Sequence, residues 1–244
     1  MKFADLHIHL LCGSDDGAKT QEQMQAILDA AYADGTRVLC ATPHFHPGFF
    51  GDNREKSAAA FEKLKEYAEK YEDLTLYLGN ELRFSPNCGE WLEKGQCRTL
   101  NQSRYVLVDF LENEKADEIM DAMLKILSTG YLPVLAHVER YEKFHHDLRE
   151  VKALKAMGVL LQIDAWSPFG GWNFGSKVRS RRLLKEGYAD LVASDAHDTG
   201  KRPPQLSTCY LYVAEKCGER YARKLFWDNP MKILQDTIFE GDRC

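Results

Sequence analysis

Seven short apolar runs recur along the chain: FADLHIHL, RVLCATPH, LTLYLGNE, YVLVDF, LPVLAH, VLLQIDA and DLVASDAH. Each is rich in Val, Leu, Ile or Tyr, and most lack clean apolar–polar alternation, so the pattern predicts strands buried on both faces. Longer amphipathic stretches separate them. TQEQMQAILDAAYADG sets Met24, Ile27, Leu28 and Ala31 at helical spacing, and Gly35 supplies a C-terminal stop. DNREKSAAAFEKLKEYAEKY does the same with Phe61, Leu64 and Tyr67–Ala68. ADEIMDAMLKILSTG, DLREVKALKAMG and SKVRSRRLLKEG each end on a glycine. Strand–helix alternation along the whole chain predicts parallel strands with helices outside. Seven strands exceed what a minimal doubly wound sheet needs, so an α/β fold with barrel-like closure is expected, as a single domain over 1–244. GEWLEKGQCRTLNQS, between the third and fourth runs, reads as an irregular insertion.

Composition changes this picture little. A hydrophobic share of 44% and a charged share of 28% are ordinary for a soluble globular chain. The formal net charge of -5 argues against a nucleic-acid partner, which favours a basic face. The seven cysteines are scattered, odd in number and form no C-x-x-C pair, so neither a zinc ribbon nor a disulfide framework is expected. Reduced thiols and a cytoplasmic location follow as the simpler reading. Lys2 is followed by no apolar h-region, and no apolar run approaches ~18 residues, so neither a signal peptide nor a membrane span is expected.

The chemistry lies in where metal-competent residues fall. His7 and His9 end the first run, His44 the second, Glu81 the third and Asp109 the fourth; His137 ends the fifth, and Asp195 and His197 end the last. In α/β barrels the C-terminal strand ends build the active site, so residues far apart in sequence are expected to converge. Strand periodicity puts His7 and His9 on one face, and Asp195 and His197 on one face. Asp5 shares that parity and is expected to hydrogen-bond a ligand histidine from beneath. Asp15–Asp16–Gly17 can fold back over the mouth. His46, in a proline-bounded loop, ranks below His44 as a ligand, and His145 and His146 read as solvated. About five imidazoles and four carboxylates exceed one coordination shell, which points to two or three divalent ions, with Mn²⁺, Fe, Zn²⁺ or Mg²⁺ as candidates. Paired ions suit phosphoryl transfer. Arg140, three residues past His137, and Arg202, five past His197, are candidate phosphate grips.

These stretches resemble the polymerase-and-histidinol-phosphatase (PHP) superfamily. Within it they are similar to the manganese-dependent protein-tyrosine phosphatases of bacterial capsule and exopolysaccharide clusters. The resemblance rests on DLHIHLLCGSDDGAKT, ATPHF, GNELRF, TLNQSRYVLVDF, VLAHVERY, ASDAHDTGKRPP and LFWDNPMKIL, which run from the first strand to a C-terminal helix. It implies a distorted (β/α)7 TIM-like barrel, the PHP fold, with three metal ions at the strand ends. The implied ligands are His7, His9, Asp16, His44, Glu81, Asp109, His137, Asp195 and His197. Glu81 would bridge two ions, and Arg140 and Arg202 would hold phosphate, with Asp195 sharing their catalytic role. The implied activity is a phosphomonoesterase acting on phosphotyrosine by metal-activated water, without a cysteine nucleophile. The implied metal is Mn²⁺, the implied partner a tyrosine autokinase and the implied process capsular or exopolysaccharide synthesis. A small-molecule phosphatase of the histidinol-phosphatase type, a nuclease (disfavoured by the net charge) and a catalytically inactive metal-binding regulatory module remain as alternatives. Asp109 stands where the family commonly has glutamate, and Cys12 where it commonly has proline. Phe45, Phe49 and Phe50 are expected to rim the site for an aromatic ring.

Overall fold

A computed structural model describes residues 1–144 and 148–239. Its strands are β1 (Phe3–Ile8), β2 (Thr36–Ala41), β3 (His44–Phe45), β4 (Thr75–Leu78), β5 (Glu81–Arg83), β6 (Tyr105–Asp109), β7 (Leu132–Leu135), β8 (Leu160–Asp164) and β9 (Leu191–Ala193). β2 and β3 are halves of the run RVLCATPH, and β4 and β5 are halves of LTLYLGNE, so the seven predicted runs are the seven strand positions. Every strand pair is parallel.

The two broken strands carry pairing from one sheet to the other. β1, β2 and β4 form a three-stranded sheet, and β3, β5, β6, β7, β8 and β9 a six-stranded one. Across the break, the Gly79 N–H donates to Ala41 O and the Glu81 N–H to Pro43 O, at 2.8 and 3.1 Å, so the ladder bends without being lost. The ring closes where the chain after β9 meets β1. The Asp195 N–H donates to His7 O and the His9 N–H to Ala196 O, both at 2.8 Å. The result is an α/β barrel with a distortion at β2/β3 and β4/β5.

The lack of alternation in the runs has its structural counterpart: β1, β6 and β8 are buried at every position. Helices cover the outside. Gln21–Asp34 opens with a reciprocal cap, in which Thr20 Oγ1 accepts from Gln23 N and Gln23 Oε1 accepts from Thr20 N. It closes on Gly35 at φ 115°, a conformation that suits glycine. Arg54–Ala68, Ala116–Ser128, Arg149–Ala156 and Phe174–Lys185 answer to the other predicted helices.

Two expectations need correction. The stretch read as an irregular insertion contains a short helix, Cys88–Glu93, and is tied down: Leu92, Cys97 and Leu100 are buried, and the Arg98 N–H donates to Asn80 Oδ1 at 2.9 Å. The helix Ser207–Cys217 went unpredicted, and the expected C-terminal helix is a π turn, Lys224–Asp228, followed by Asn229–Leu234. Among the described residues no helix is long and apolar enough to cross a membrane. His145 and His146 lie outside the described residues.

Candidate metal centre

Of the nine ligand candidates, His7 and Asp109 stand at the ends of β1 and β6, His9, His137, Asp195 and His197 just past β1, β7 and β9, His44 and Glu81 where β3 and β5 open after the breaks, and Asp16 in the loop after β1. Two of them sit in unusual backbone: His137 has φ 34° and Asp195 has φ 50°. Side chains other than glycine rarely adopt this left-handed region, and such strain concentrates at functional sites.

The side chains fall into interlocking groups of ligand atoms: His7, His9 and Asp195; His7, Glu81 and His137; His44, Glu81 and Asp109; and His9, Asp16, His44 and His197. The first group has the sharpest geometry. His7 Nε2 and His9 Nε2 lie 3.1 Å apart. Each is 3.2 Å from Glu81 Oε2 and 3.3 Å from Asp195 Oδ1. Protonation sharpens the point. His7 Nδ1 lies 3.0 Å from Gln162 Oε1, and His9 Nδ1 lies 2.7 Å from Asp15 Oδ2. Both partners only accept, so each Nδ1 carries a proton, and Nε2 is the atom each ring turns inward. Two imidazole nitrogens with the carboxylate oxygens of Asp195 and Glu81 beside them are a nitrogen–oxygen donor set of the kind that holds a divalent ion, so these residues fit one.

Glu81 spans two groups. Its Oε1 lies 2.9 Å from His137 Nε2, while Oε2 lies 2.8 Å from His44 Nδ1. Burial pushes the Glu81 carboxyl up, but the charges of His7 and His44 and the hydrogen bonds from His137 and His44 outweigh it and hold the group well below the usual carboxylate range. Asp109 goes the other way: burial and the neighbouring Glu81 push it up to about 7, against the pull of Arg83, whose Nε lies 2.6 Å from Asp109 Oδ1. At the rim, Asp16 Oδ1 lies 3.3 Å from His197 Nε2 and 3.5 Å from His44 Nε2. His197 Nδ1 donates to Asp195 O at 3.0 Å, which again leaves Nε2 as the inward atom.

The supporting residues differ from those expected. Asp5 does not touch a histidine ring; its Oδ1 accepts from the backbone N–H groups of His7 and Ser194, at 3.3 and 3.0 Å. Gln162 and Asp15 orient the rings instead. Gln162 Oε1 also accepts from the His137 N–H at 2.9 Å, and Asp15 from the His44 N–H at 2.9 Å and the Gly17 N–H at 3.0 Å. Gln162 carried a legible signal, since a polar residue in the middle of a wholly buried strand demands a partner.

Asp195 joins the metal-competent groups to the cations. Its Oδ1 faces the two histidines, while Oδ2 accepts from Arg140 and, at 2.5 Å, from Arg202. Burial raises the Asp195 carboxyl, yet Arg140 and His7 pull it well below the usual range. Arg140 is buried and also donates to Asp164 Oδ2 at 2.6 Å, whereas the Arg202 side chain keeps 30% of its surface exposed. Both arginines line a cavity of about 330 Å³ that Asp16, Glu81, Asp109 and His137 also line. Arg83 lines it too and was missed, although it stands two residues past Glu81.

His46 stays outside the ligand groups; its Nδ1 accepts from the Gly48 N–H at 3.1 Å. The expected phenylalanine rim is wrong in detail. Phe45 is buried in the core, Phe49 packs on His46, and Phe50 stacks on the His44 ring at 4.6 Å. Phe110, Leu111 and Trp172 supply the apolar lining instead. No cysteine lines the cavity. The C-x₅-R spacing of thiol phosphatases does occur once, at Cys217 and Arg223. There, however, Cys217 ends a helix, its thiol is pushed up by burial, and Arg223 Nε pairs with Asp228.

The sequence pattern of the family described as capsular polysaccharide synthesis, CpsB/CapC, matches residues 3–235. The tyrosine-protein phosphatase CpsB of Streptococcus pneumoniae is 35% identical over 240 residues, covering 96% of this chain and 99% of its own. The CpsB protein of Streptococcus agalactiae serotype III is 31% identical over 238 residues, covering 95% and 98%. A crystal structure from the pair YwqE of Bacillus subtilis and CpsB of Streptococcus pneumoniae, described as metal-dependent tyrosine phosphatases, superposes with a TM-score of 0.89 at 26% identity, covering 98% of this chain and 97% of the other.

Proposed function

Because the chain belongs to the CpsB/CapC family of capsular polysaccharide synthesis proteins, we propose that it is a metal-dependent protein-tyrosine phosphatase, one domain over 1–244. Its substrate is phosphotyrosine in a protein, with a tyrosine autokinase of polysaccharide assembly as the target and the cytoplasm as the site of action. The observation that carries this reading is Asp195, which turns one oxygen toward His7 and His9 and the other toward two guanidiniums in one cavity.

His7, His9, Asp16, His44, Glu81, Asp109, His137, Asp195 and His197 would together hold two or three divalent ions, with Glu81 shared between two of the ligand groups; Mn²⁺ is the favoured metal. Divalent ions held there supply Lewis-acid polarisation of phosphoryl oxygens and a water acidic enough to react near neutral pH. The chain's own residues do the remaining work. Gln162 and Asp15 keep a proton on each Nδ1, so that His7 and His9 present Nε2 inward. Arg202, partly exposed, grips phosphate oxygens and offsets the charge that grows on the leaving oxygen. Arg140, buried against Asp164 and Asp195, forms a fixed cationic wall. No thiol in the cavity competes for the nucleophile's role.

The test is metal analysis paired with a substrate panel on the same preparation. A phosphotyrosine peptide should be hydrolysed faster than histidinol phosphate or a phosphoserine peptide, chelation should abolish turnover, and Mn²⁺ should restore it. Preference for histidinol phosphate would overturn the protein-phosphatase reading in favour of a small-molecule enzyme. Failure to hydrolyse any monoester, with the metals retained, would favour a regulatory module.

A further inference from the structure

A large aromatic ring stands in this cavity with no structural task that accounts for it. Trp172 is 42% exposed, yet it lines the same cavity as Glu81, Asp109, His137, Arg140 and Arg202. Its position is built from both sides. The Gly171 N–H donates to Trp166 O at 3.1 Å, and a Cβ at Gly171 would meet Trp166 Cβ at 2.7 Å, so the loop can approach this closely only as glycine. On the other side Asn173 caps the helix Phe174–Lys185, its Oδ1 accepting from the Ser176 N–H at 2.7 Å. The indole is therefore held at the mouth by its backbone neighbours rather than by burial of the ring.

Its surroundings are specific. The Arg140 guanidinium carbon lies 4.2 Å from the ring centroid and that of Arg202 lies 5.9 Å away. Arg140 bonds Asp164 and Asp195 through Nη2, and its planar face lies toward the indole. Phe110 and the half-exposed Leu111, just past β6, line the cavity as well. Trp172 follows β8, and β7 lies between β6 and β8. The apolar lining thus comes from the chain past both neighbours of β7, the strand that leads to His137 and Arg140.

We propose that Trp172, with Leu111 and Phe110 beside it, is the subsite for the substrate's aryl ring, placed so that a phosphate held by Arg140 and Arg202 carries its ring into contact with the indole. This rests on the phosphotyrosine reading above and adds the element that tells an aryl phosphate from an alkyl one. All the ligand candidates but Asp16 are buried, with His7 and His9 fully enclosed and Glu81 1% exposed, so a monoester must reach inward past the mouth. An aryl phosphate sets its phosphorus beyond a rigid ring and fills that depth with an apolar body. A phosphoserine side chain brings its backbone to the rim and leaves the indole without a partner.

Inhibition separates recognition from chemistry. Phenylphosphonate carries the ring and methylphosphonate does not, and neither is hydrolysed. For wild type, phenylphosphonate should bind more tightly. An aromatic pair contributes roughly a two- to tenfold effect, so Trp172→Ala should raise the Ki of phenylphosphonate by about that factor and the KM of a phosphotyrosine peptide in parallel. The Ki of methylphosphonate should stay within about twofold, which also reports that the variant is folded and holds its metals. Trp172→Phe should recover most of the aryl preference. Equal loss for both phosphonates would overturn the proposal, since it would show that the indole acts only by positioning Arg140. So would an unchanged ratio of the two Ki values. Failure of the underlying reading shows separately, as a wild-type enzyme that turns over phosphotyrosine no better than an alkyl monoester.

Discussion

Gly17→Ala tests whether the loop after β1 is pinned onto the site. Adding a methyl group to a glycine ordinarily stabilises a protein by about 0.4–1 kcal/mol, because the unfolded chain loses freedom. Here the geometry reverses the sign. A Cβ on Gly17 would lie 1.9 Å from His9 O, 2.7 Å from His9 Cβ and 2.8 Å from His9 C. Ordinary contact begins near 3.4 Å, so the loop would have to open by about 1.5 Å. Two of the three obstructing atoms are backbone and cannot rotate away. Such an opening breaks the Ala18 N–H bond to His9 O, now 3.1 Å, and draws Asp15 from His9 Nδ1 and the His44 N–H, now 2.7 and 2.9 Å. Overpacking costs about 1–3 kcal/mol, and a hydrogen bond to a charged group contributes about 1.5–3 kcal/mol. Losing one such bond on top of the clash, less the entropy gain, gives a net destabilisation of about 3 kcal/mol. For a chain of this size that lowers Tm by roughly 6–12 °C. Thermal unfolding of metal-depleted protein measures it without interference from binding. Gly89→Ala is the control: its Cβ would meet only Thr129 Cγ2 at 3.5 Å, so stability should hold or rise. If Gly17→Ala unfolds within about 2 °C of wild type and binds its full complement of metal, the pinned-loop reasoning is wrong.

Glu81→Gln should abolish turnover and lower the content of more than one ion, because an amide lacks the charge to serve the His137 and His44 sides together; wild-type activity and metal content would sink the bridging role. Gln162→Leu frees the His7 ring and orphans the His137 N–H, so metal affinity should fall about 10–100-fold in chelator competition; an unchanged affinity would show that the rings need no such partner. Arg202→Ala should cost about 100-fold in kcat/KM with metals retained, and Arg202→Lys should recover only part, because an ammonium lacks the fork. Loss of metal in the alanine variant would assign Arg202 to the scaffold instead.

The fold was legible because its signal is local. A strand buried on both faces declares itself by a run of apolar residues without alternation, and β1, β6 and β8 are such runs. The candidate ligands were legible for a related reason: in a parallel barrel every strand ends on the same face, so position within a run stands in for position in space. What failed was pairing across sequence distance. Asp5 shares parity with His7, yet the hydrogen-bond partner of the His7 ring is Gln162, 155 residues away. Asp15 and Asp16 are neighbours, but only the fold shows that one braces His9 while the other faces His44 and His197. Phe45 was misread because it follows His44 directly in a strand; period two turns it to the opposite face, into the core. Trp172 lies in a glycine-flanked loop, where hydrophobic periodicity carries no information about which way a ring points.

The strained residues bear on where the site sits within the barrel. Asp195, at φ 50°, lies on the seam where the chain after β9 meets β1. That seam is thin: a single isolated bridge, Ile8 to Ala196, and the backbone bonds from Asp195 N to His7 O and from His9 N to Ala196 O. His7 and His9 project from one side of it, Asp195 and His197 from the other. A left-handed residue costs on the order of 1–3 kcal/mol and persists only when its surroundings over-determine it. Here they do: the Asp195 N–H is spent on closing the barrel, and its carboxylate is gripped by Arg140 and Arg202. Without an ion, burial works against charge on His7 and His9, but Glu81 and Asp195 beside His7 and Asp15 beside His9 outweigh it and push both rings up. On the proposed function, an ion held there would take the place of the protons on those rings and link the end of β1 to the segment after β9. Metal binding would then add its free energy to a seam that the backbone bonds already close.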